Sequence, residues 1–282
     1  MNSDKLFPNR TNLIDSQVLI VSEESPGYLL ATIINPPLNL LGPEVFAGLQ
    51  LLKEYAEGDN GAKVVVFESA VLNFFIAHLD LAQMNVVPDI PGAKHVLKEW
   101  PAFSHWLSTT PLVSIAKIRG RARGMGNEFL CALDMRFASR ENSRLSQMEI
   151  NFGGGPGGGG IEWLVRHVGR SRALEIILSG DDFDADTAEL YGWINRSIPD
   201  QELDEYVDRL ARRIAQMDKT ALATAKQLIN LRSPVPAVED LQETFLTLAK
   251  IVGGEGAKQA VRRAKANGWG DEPLEIDLPR YE

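Results

Sequence analysis

Cysteine is almost missing: Cys131 is the single one in 282 residues, which excludes an internal disulfide framework and any zinc cluster built on cysteines. Long apolar runs are missing as well. The longest, at 64–67 and 74–77, are broken by Glu68 and Asn73, well short of the roughly 18 residues a membrane-spanning helix needs. The first 17 residues lack the apolar core of a secretory signal. Positive charge is in deficit, with 29 basic against 38 acidic side chains and a net charge of -9, which argues against a nucleic-acid partner. No GxxxxGK[ST] string occurs, so a P-loop is excluded. A soluble, cytoplasmic protein without a membrane partner is expected. The length allows about two domains, or one large α/β body with an appendage.

What is present is alternation. Apolar, β-branched runs at 18–21, 28–34, 64–67, 112–118 and 135–138 read as strands. Between them, Val45, Phe46, Leu49, Leu52 and Tyr55 keep helical spacing, with Pro43 suited to the first turn and Gly58 to the stop. A second helical stretch, 96–107, carries Pro101, where a break or kink is expected. Strands alternating with helices point to an α/β body over residues 1–198. Helical patterns then fill 199–270, at 200–217, 219–231, 238–251 and 256–267. The stripe Leu203, Val207, Leu210, Ile214, Met217 fits either the remainder of one core or a separate helical cap or oligomer contact. Residues 271–282 read as a polar surface tail.

Three segments carry chemistry. Residues 75–81 run Phe-Ile-Ala-His-Leu-Asp-Leu; residues 120–128 run Gly-Arg-Ala-Arg-Gly-Met-Gly-Asn-Glu; Gln147-Met148-Glu149 leads into glycines at 153–155 and 157–160. Glycines after strands admit a ligand close to backbone N–H groups, and where such a turn opens a helix the first-turn amides favour negative charge. Gly124-Met125-Gly126 has that form, and the charge is either a phosphate or a developing oxyanion. Glu128 and Glu149 each stand beside a Gly-rich turn. If they share a pocket, repulsion leaves one protonated and one ionised, the arrangement needed to deliver a proton and activate water. If they do not, each is a solvated surface residue. Spacing does not decide between the two.

At these segments the chain resembles the crotonase superfamily, the enoyl-CoA hydratase/isomerase family. The likeness runs over about residues 18–269 and extends to Val168-Gly169-Arg170, Leu178-Ser179-Gly180 and Gly192-Trp193-Ile194, with Asp184 placed as a helix N-cap. The resemblance implies a ββα spiral core, and a helical C-terminal region that builds a homotrimer or a dimer of trimers. It implies acyl-CoA thioester substrates, with coenzyme A entering as part of the substrate and no other cofactor or metal. It implies that backbone N–H groups of Leu79 and Met125 hold the thioester oxygen, a donor of this kind being worth about 3 to 4 kcal/mol in a transition state. The family's two hydratase glutamates fall on Glu128 and Glu149. Ala77, Asp80 and Gly124 fall in the loops against the substrate. Arg263 matches a lysine that contacts CoA phosphate across subunits, and Phe245 is either an adenine stack or core of an apolar helix.

The chain departs from the family where the first loop usually reads Ala-Gly-Ala-Asp. Here it reads Ala77-His78-Leu79-Asp80, and Met125 replaces a common glycine in the second loop. His78 beside an oxyanion donor is either a group titrating near neutrality in the pocket or a ring that turns away and packs. No aspartate stands near Gly157, which disfavours an aspartyl nucleophile. An enoyl-CoA hydratase-like lyase is the first expectation. The alternatives are a crotonase-fold isomerase or C–C bond hydrolase using His78, and a catalytically silent acyl-CoA-binding subunit.

Overall fold

The computed structural model describes residues 12–80, 91–252, 254–266 and 275–276, apart from the side chains of 91–98 and 252. The polar start of the chain, to residue 11, and all of segment 271–282 except Glu275 and Ile276 lie outside the described residues.

Two sheets form the frame. The larger has seven strands, built from β1 (Asn12–Asp15), β2 (Leu19–Ser25), β3 (Tyr28–Ile33), β4 (Val64–Ser69), β6 (Val113–Ile118), β8 (Met135–Ser139) and β11 (Arg196–Ile198), in the order β1-β2-β3-β4-β6-β8-β11. The first two pairings are antiparallel and those from β3 onward are parallel. The smaller sheet uses β5 (Phe74–Ile76), β7 (Arg121–Arg123), β9 (Arg144–Ser146) and β10 (Phe183–Asp184), in the order β10-β9-β7-β5. Three successive turns therefore repeat one plan. β4 passes to β5 and then helix α2 (Pro91–Thr109); β6 passes to β7 and α3 (Met125–Ala132); β8 passes to β9 and, after a 3-10 turn (Glu149–Phe152), to α4 (Gly160–Val168). This is the ββα spiral that the resemblance implies.

Why the strands read as unbroken apolar runs is clear from the packing: the larger sheet is covered on both faces. Leu29, Ala31, Ile33, Val65, Phe67, Ala116 and Ile118 face one way, against α1 (Pro43–Glu57), α2 and α3. Their neighbours Tyr28, Leu30, Val64, Val66, Val113 and Ile115 face the other, against Leu203, Val207, Ala211 and Ala215 of α7 (Asp200–Ala215). The period of two sorts each strand between two cores. Of the two readings of the 203–217 stripe, core is the one observed for α7, which closes the second face of the sheet. Leu203→Ala is expected to cost about 3 kcal/mol, read as a lower urea midpoint with an unchanged slope.

Two expectations need correction. Helix α2 runs unbroken through Pro101. Burial of Trp100, Phe103 and Leu107 in the main core outweighs the cost of a helix-interior proline, about 3 kcal/mol. The tail is not wholly a surface segment either: Glu275 is fully buried and Ile276 packs on Leu38, Phe74 and Ala77. A short polar sequence gives no sign of a docking site made by distant loops.

The chain is completed by α5 (Arg170–Ser179), α6 (Ala185–Tyr191), α8 (Lys219–Arg232), α9 (Val238–Val252) and α10 (Glu255–Ala266). Asp184 caps α6 by accepting from Thr187 N at 2.8 Å, as its position suggests. Among the described residues no helix is long and apolar enough to cross a membrane.

Candidate active site

Strands β5, β7 and β9 are parallel neighbours, so their C-terminal ends lie side by side. The three chemically marked segments leave from those ends, the place where parallel strands commonly present ligand-binding loops. Residues 77–80 follow β5, Gly124 to Glu128 follow β7, and the Gln147–Gly160 stretch follows β9.

The loops meet. Gly124 has φ +49°, and a Cβ built there would stand 3.0 Å from Glu149 Oε1 and 3.9 Å from His78 Cβ, so three segments converge on one glycine. A Cβ built on Gly158 would stand 2.4 Å from Glu128 Oε2 and 2.5 Å from Met125 Sδ. Glu128 is 1% exposed, and its Oε1 accepts from Gly158 N at 2.8 Å and Gly160 N at 2.9 Å. Burial, followed by the charge of Glu149, pushes the Glu128 carboxyl well above the usual range, although the two amides favour its ionised form. Glu149 is raised to about 7 by burial; Gln147 and the nearby His78 pull the other way. Both carboxyls are thus biased toward their protonated forms.

The orientation of Glu149 comes from residues that sequence reasoning did not single out. Trp193 Nε1 donates to Asn127 Oδ1 at 3.0 Å, Asn127 Nδ2 to Gln147 Oε1 at 2.6 Å, and Gln147 Nε2 to both Glu149 oxygens at 2.8 and 3.0 Å. Trp100 Nε1 donates to Gly158 O at 2.8 Å, which anchors the Gly-rich loop on α2. The adjacency of Asn127 to Glu128 and the two-residue gap from Gln147 to Glu149 are visible in the sequence; the links to Trp193 and Trp100 are not.

The amides of Leu79 and Met125 are oriented by their own peptides. His78 O accepts from Leu41 N at 2.9 Å, so the N–H of Leu79, antiparallel to that carbonyl in a trans peptide, points away from Leu41. Gly124 O accepts from Glu128 N at 2.9 Å, which leaves Met125 N–H at the open end of α3. Neither amide donates to a hydrogen bond among the described residues.

A family model described as enoyl-CoA hydratase/isomerase matches residues 23–259. The chain belongs to the enoyl-CoA hydratase/isomerase family. It is an enzyme family, and its fold is the one seen here. A candidate enoyl-CoA hydratase of Streptomyces avermitilis superposes with a TM-score of 0.86 at 39% identity, covering 95% of this chain and 97% of that one. The enoyl-CoA hydratase of Bacillus anthracis gives 0.71 at 26% identity, covering 89% and 93%. In sequence, the short-chain-enoyl-CoA hydratase of Clostridium acetobutylicum is 29% identical over 209 residues, 73% of this chain and 79% of that protein.

The remaining sequence-selected residues scatter around this centre. Ala77 is buried with Leu38 and Phe74, and Asp80 is 7% exposed, its N–H on Leu41 O at 3.0 Å. Phe245 on α9 lies against Gly157, its ring carbon 3.5 Å from where a Cβ would be. Arg263 is exposed on α10. The alternating cations Lys117, Arg119, Arg121 and Arg123 are engaged within the protein. Lys117 meets Glu68 and Asp204, Arg119 meets Asp200 and Asp204, Arg121 donates to Ile276 O, and Arg123 meets Asp182. Among the described residues no group of His, Cys, Asp and Glu is placed to hold a metal.

Proposed function

We propose that the protein hydrates an enoyl-CoA thioester through Glu128 and Glu149. The observation that carries the reading is the convergence of the Glu128 and Glu149 loops at Gly124 and Met125, with both carboxyls biased toward their protonated forms. Ionised Glu149 takes a proton from water as its oxygen bonds to the β-carbon. Glu128 gives its proton to the α-carbon, so hydroxide and hydrogen add across the double bond and the pair redistributes one proton afterwards. Leu79 N–H and Met125 N–H hold the thioester oxygen as negative charge grows there. The reaction calls for no cofactor beyond the coenzyme A of the substrate.

The alternative of an isomerase or C–C bond hydrolase using His78 has less support. Both ring nitrogens of His78 are engaged, with Leu79 O and with Glu275, which leaves neither for a substrate proton. The silent-binder alternative sits poorly beside a maintained relay onto Glu149.

Purified protein is expected to bleach enoyl-thioester absorbance, and absence of turnover across short, medium and long acyl chains would overturn the reading. Its kcat/KM is expected to fall as pH drops through about 7, because Glu149 gains the proton that disables it as a base. A pH series with one enoyl-CoA reads this limb.

Our reading places the enzyme in the cytoplasm as a homo-oligomer, a trimer or dimer of trimers. Leu228, Ile229 and Leu231 of α8 and Leu246 and Ile251 of α9 are exposed apolar side chains, which a second copy would cover. In that assembly Arg263 reaches a CoA phosphate of the neighbouring subunit, and Phe245 borders the adenine.

A further inference from the structure

The chain's last described residues return to the site. Ile276 sits on Ala77 and Phe74; Arg121 Nε donates to its carbonyl at 3.0 Å. Arg123, fully buried, donates to the Glu275 carbonyl while its Nε and Nη2 grip Asp182 at 2.7 and 2.5 Å. These contacts deliver the Glu275 side chain to the first loop. Its Oε1 lies 3.1 Å from His78 Nε2, and His78 Nδ1 lies 2.7 Å from Leu79 O.

The hydrogen-bond inventory of an imidazole constrains this arrangement. A carbonyl oxygen accepts only, so Nδ1 carries a hydrogen. Nε2 faces a carboxyl oxygen, and a contact at that distance needs a hydrogen between the two. Imidazole holds a proton more tightly than a carboxylate does, by about two pH units in ordinary peptides. That ordering favours the ring as the holder of the hydrogen.

We propose that Glu275 is a positioning residue of the active site: its carboxylate keeps His78 doubly protonated, so that the ring clamps the Leu79 carbonyl and sets a positive charge beside Glu149. The proposal rests on the hydratase reading for its catalytic consequence, not for the state of the ring. With His78 O held by Leu41 N and Leu79 O held by His78 Nδ1, the peptides on both sides of Leu79 are fixed, and so is the direction of its N–H. Among the described residues, the charged groups near the ring include Glu149 across Gly124, Glu128 beyond it, Asp80 along the loop, and Arg123 with Asp182 by the tail backbone. His78 already acts on Glu149 in the direction that favours ionisation. A segment far from the catalytic loops in sequence thereby completes them.

The test compares the full-length protein with Glu275→Gln, which keeps the shape and removes the charge. Nitrogen-15 shifts of the His78 ring at neutral pH are expected to report two protonated nitrogens in the wild type. In Glu275→Gln they are expected to report a neutral ring with hydrogen on Nδ1. In the same variant the acid limb of kcat/KM is expected to move up by about one pH unit. Its kcat should drop about tenfold, with KM changed less than about twofold. A neutral ring in the wild type would overturn the proposal, and so would a variant that leaves both the ring and the limb unmoved. If no enoyl-CoA is turned over, the hydratase reading fails by itself, and the ring shifts still decide for or against the pair.

Discussion

Glu149→Gln and Glu128→Gln, each alone, are expected to lower kcat for enoyl-thioester hydration by about a thousandfold. Glutamine keeps the volume and most hydrogen bonds, so the loss reports proton transfer rather than collapse of the pocket. The double variant should fall little further than either single one, because two groups that move one proton between them act as a unit. A stopped or slow progress curve of enoyl absorbance measures all three. A loss below tenfold in either single variant would remove that residue from the chemistry.

Stability supplies a second readout with the opposite sign. The folded Glu149 carboxyl holds its proton to about pH 7, while the unfolded one releases it near its ordinary value of 4.5. Between those values the folded chain binds more protons than the unfolded one, so stability falls as pH climbs from 4.5 to 7. Above 7 the whole penalty is present. Glutamine carries no such proton, so Glu149→Gln is expected to melt higher than the wild type at pH 8 and to lose that advantage near pH 4.5. Thermal melts at the two pH values measure it. A variant that is at once inactive and more stable is what a half-buried functional carboxylate with a raised proton affinity predicts.

Much of the fold around this site is legible in the sequence. Strands buried on both faces announce themselves as continuous apolar runs, which is why β3, β4, β6 and β8 stood out, each to within a few residues. The short strands β5, β7 and β9 did not, because three residues carry too little pattern, yet these are the strands that aim the loops. The Gly-rich turns beside Glu128 and Glu149 pointed to a common pocket without proving it. What could not be read were contacts between partners distant in sequence: Trp193 with Asn127, Trp100 with Gly158, and Glu275 with His78. His78 stood out as a departure from the family pattern, but its partner lies in a tail whose polarity suggested solvent.

Gly158→Ala is the change expected to do most damage for a single methyl group. The added carbon would sit 2.4 Å from Glu128 Oε2 and 2.5 Å from Met125 Sδ, both inside van der Waals contact. Three ways of relief exist, and none is cheap enough to clear both contacts. Glu128 cannot swing away without leaving Gly158 N and Gly160 N, the two donors on its other oxygen. The peptide cannot retreat without stretching the bond from Trp100 Nε1 to Gly158 O. Met125 can turn its flexible side chain away, but that clears only the sulfur and leaves the contact with Glu128 Oε2 in place. Displacement of reacting groups by about 1 Å costs on the order of a hundredfold in rate, and kcat is expected to fall at least that far. The fold should tolerate the change better, because most of the core lies away from this loop; a thermal midpoint lowered by only a few degrees, against a kcat lowered by two orders, is the expected pair of results. Unchanged kcat in a folded Gly158→Ala enzyme would mean that the Glu128 carboxyl has room to move, and that its placement does not govern the reaction.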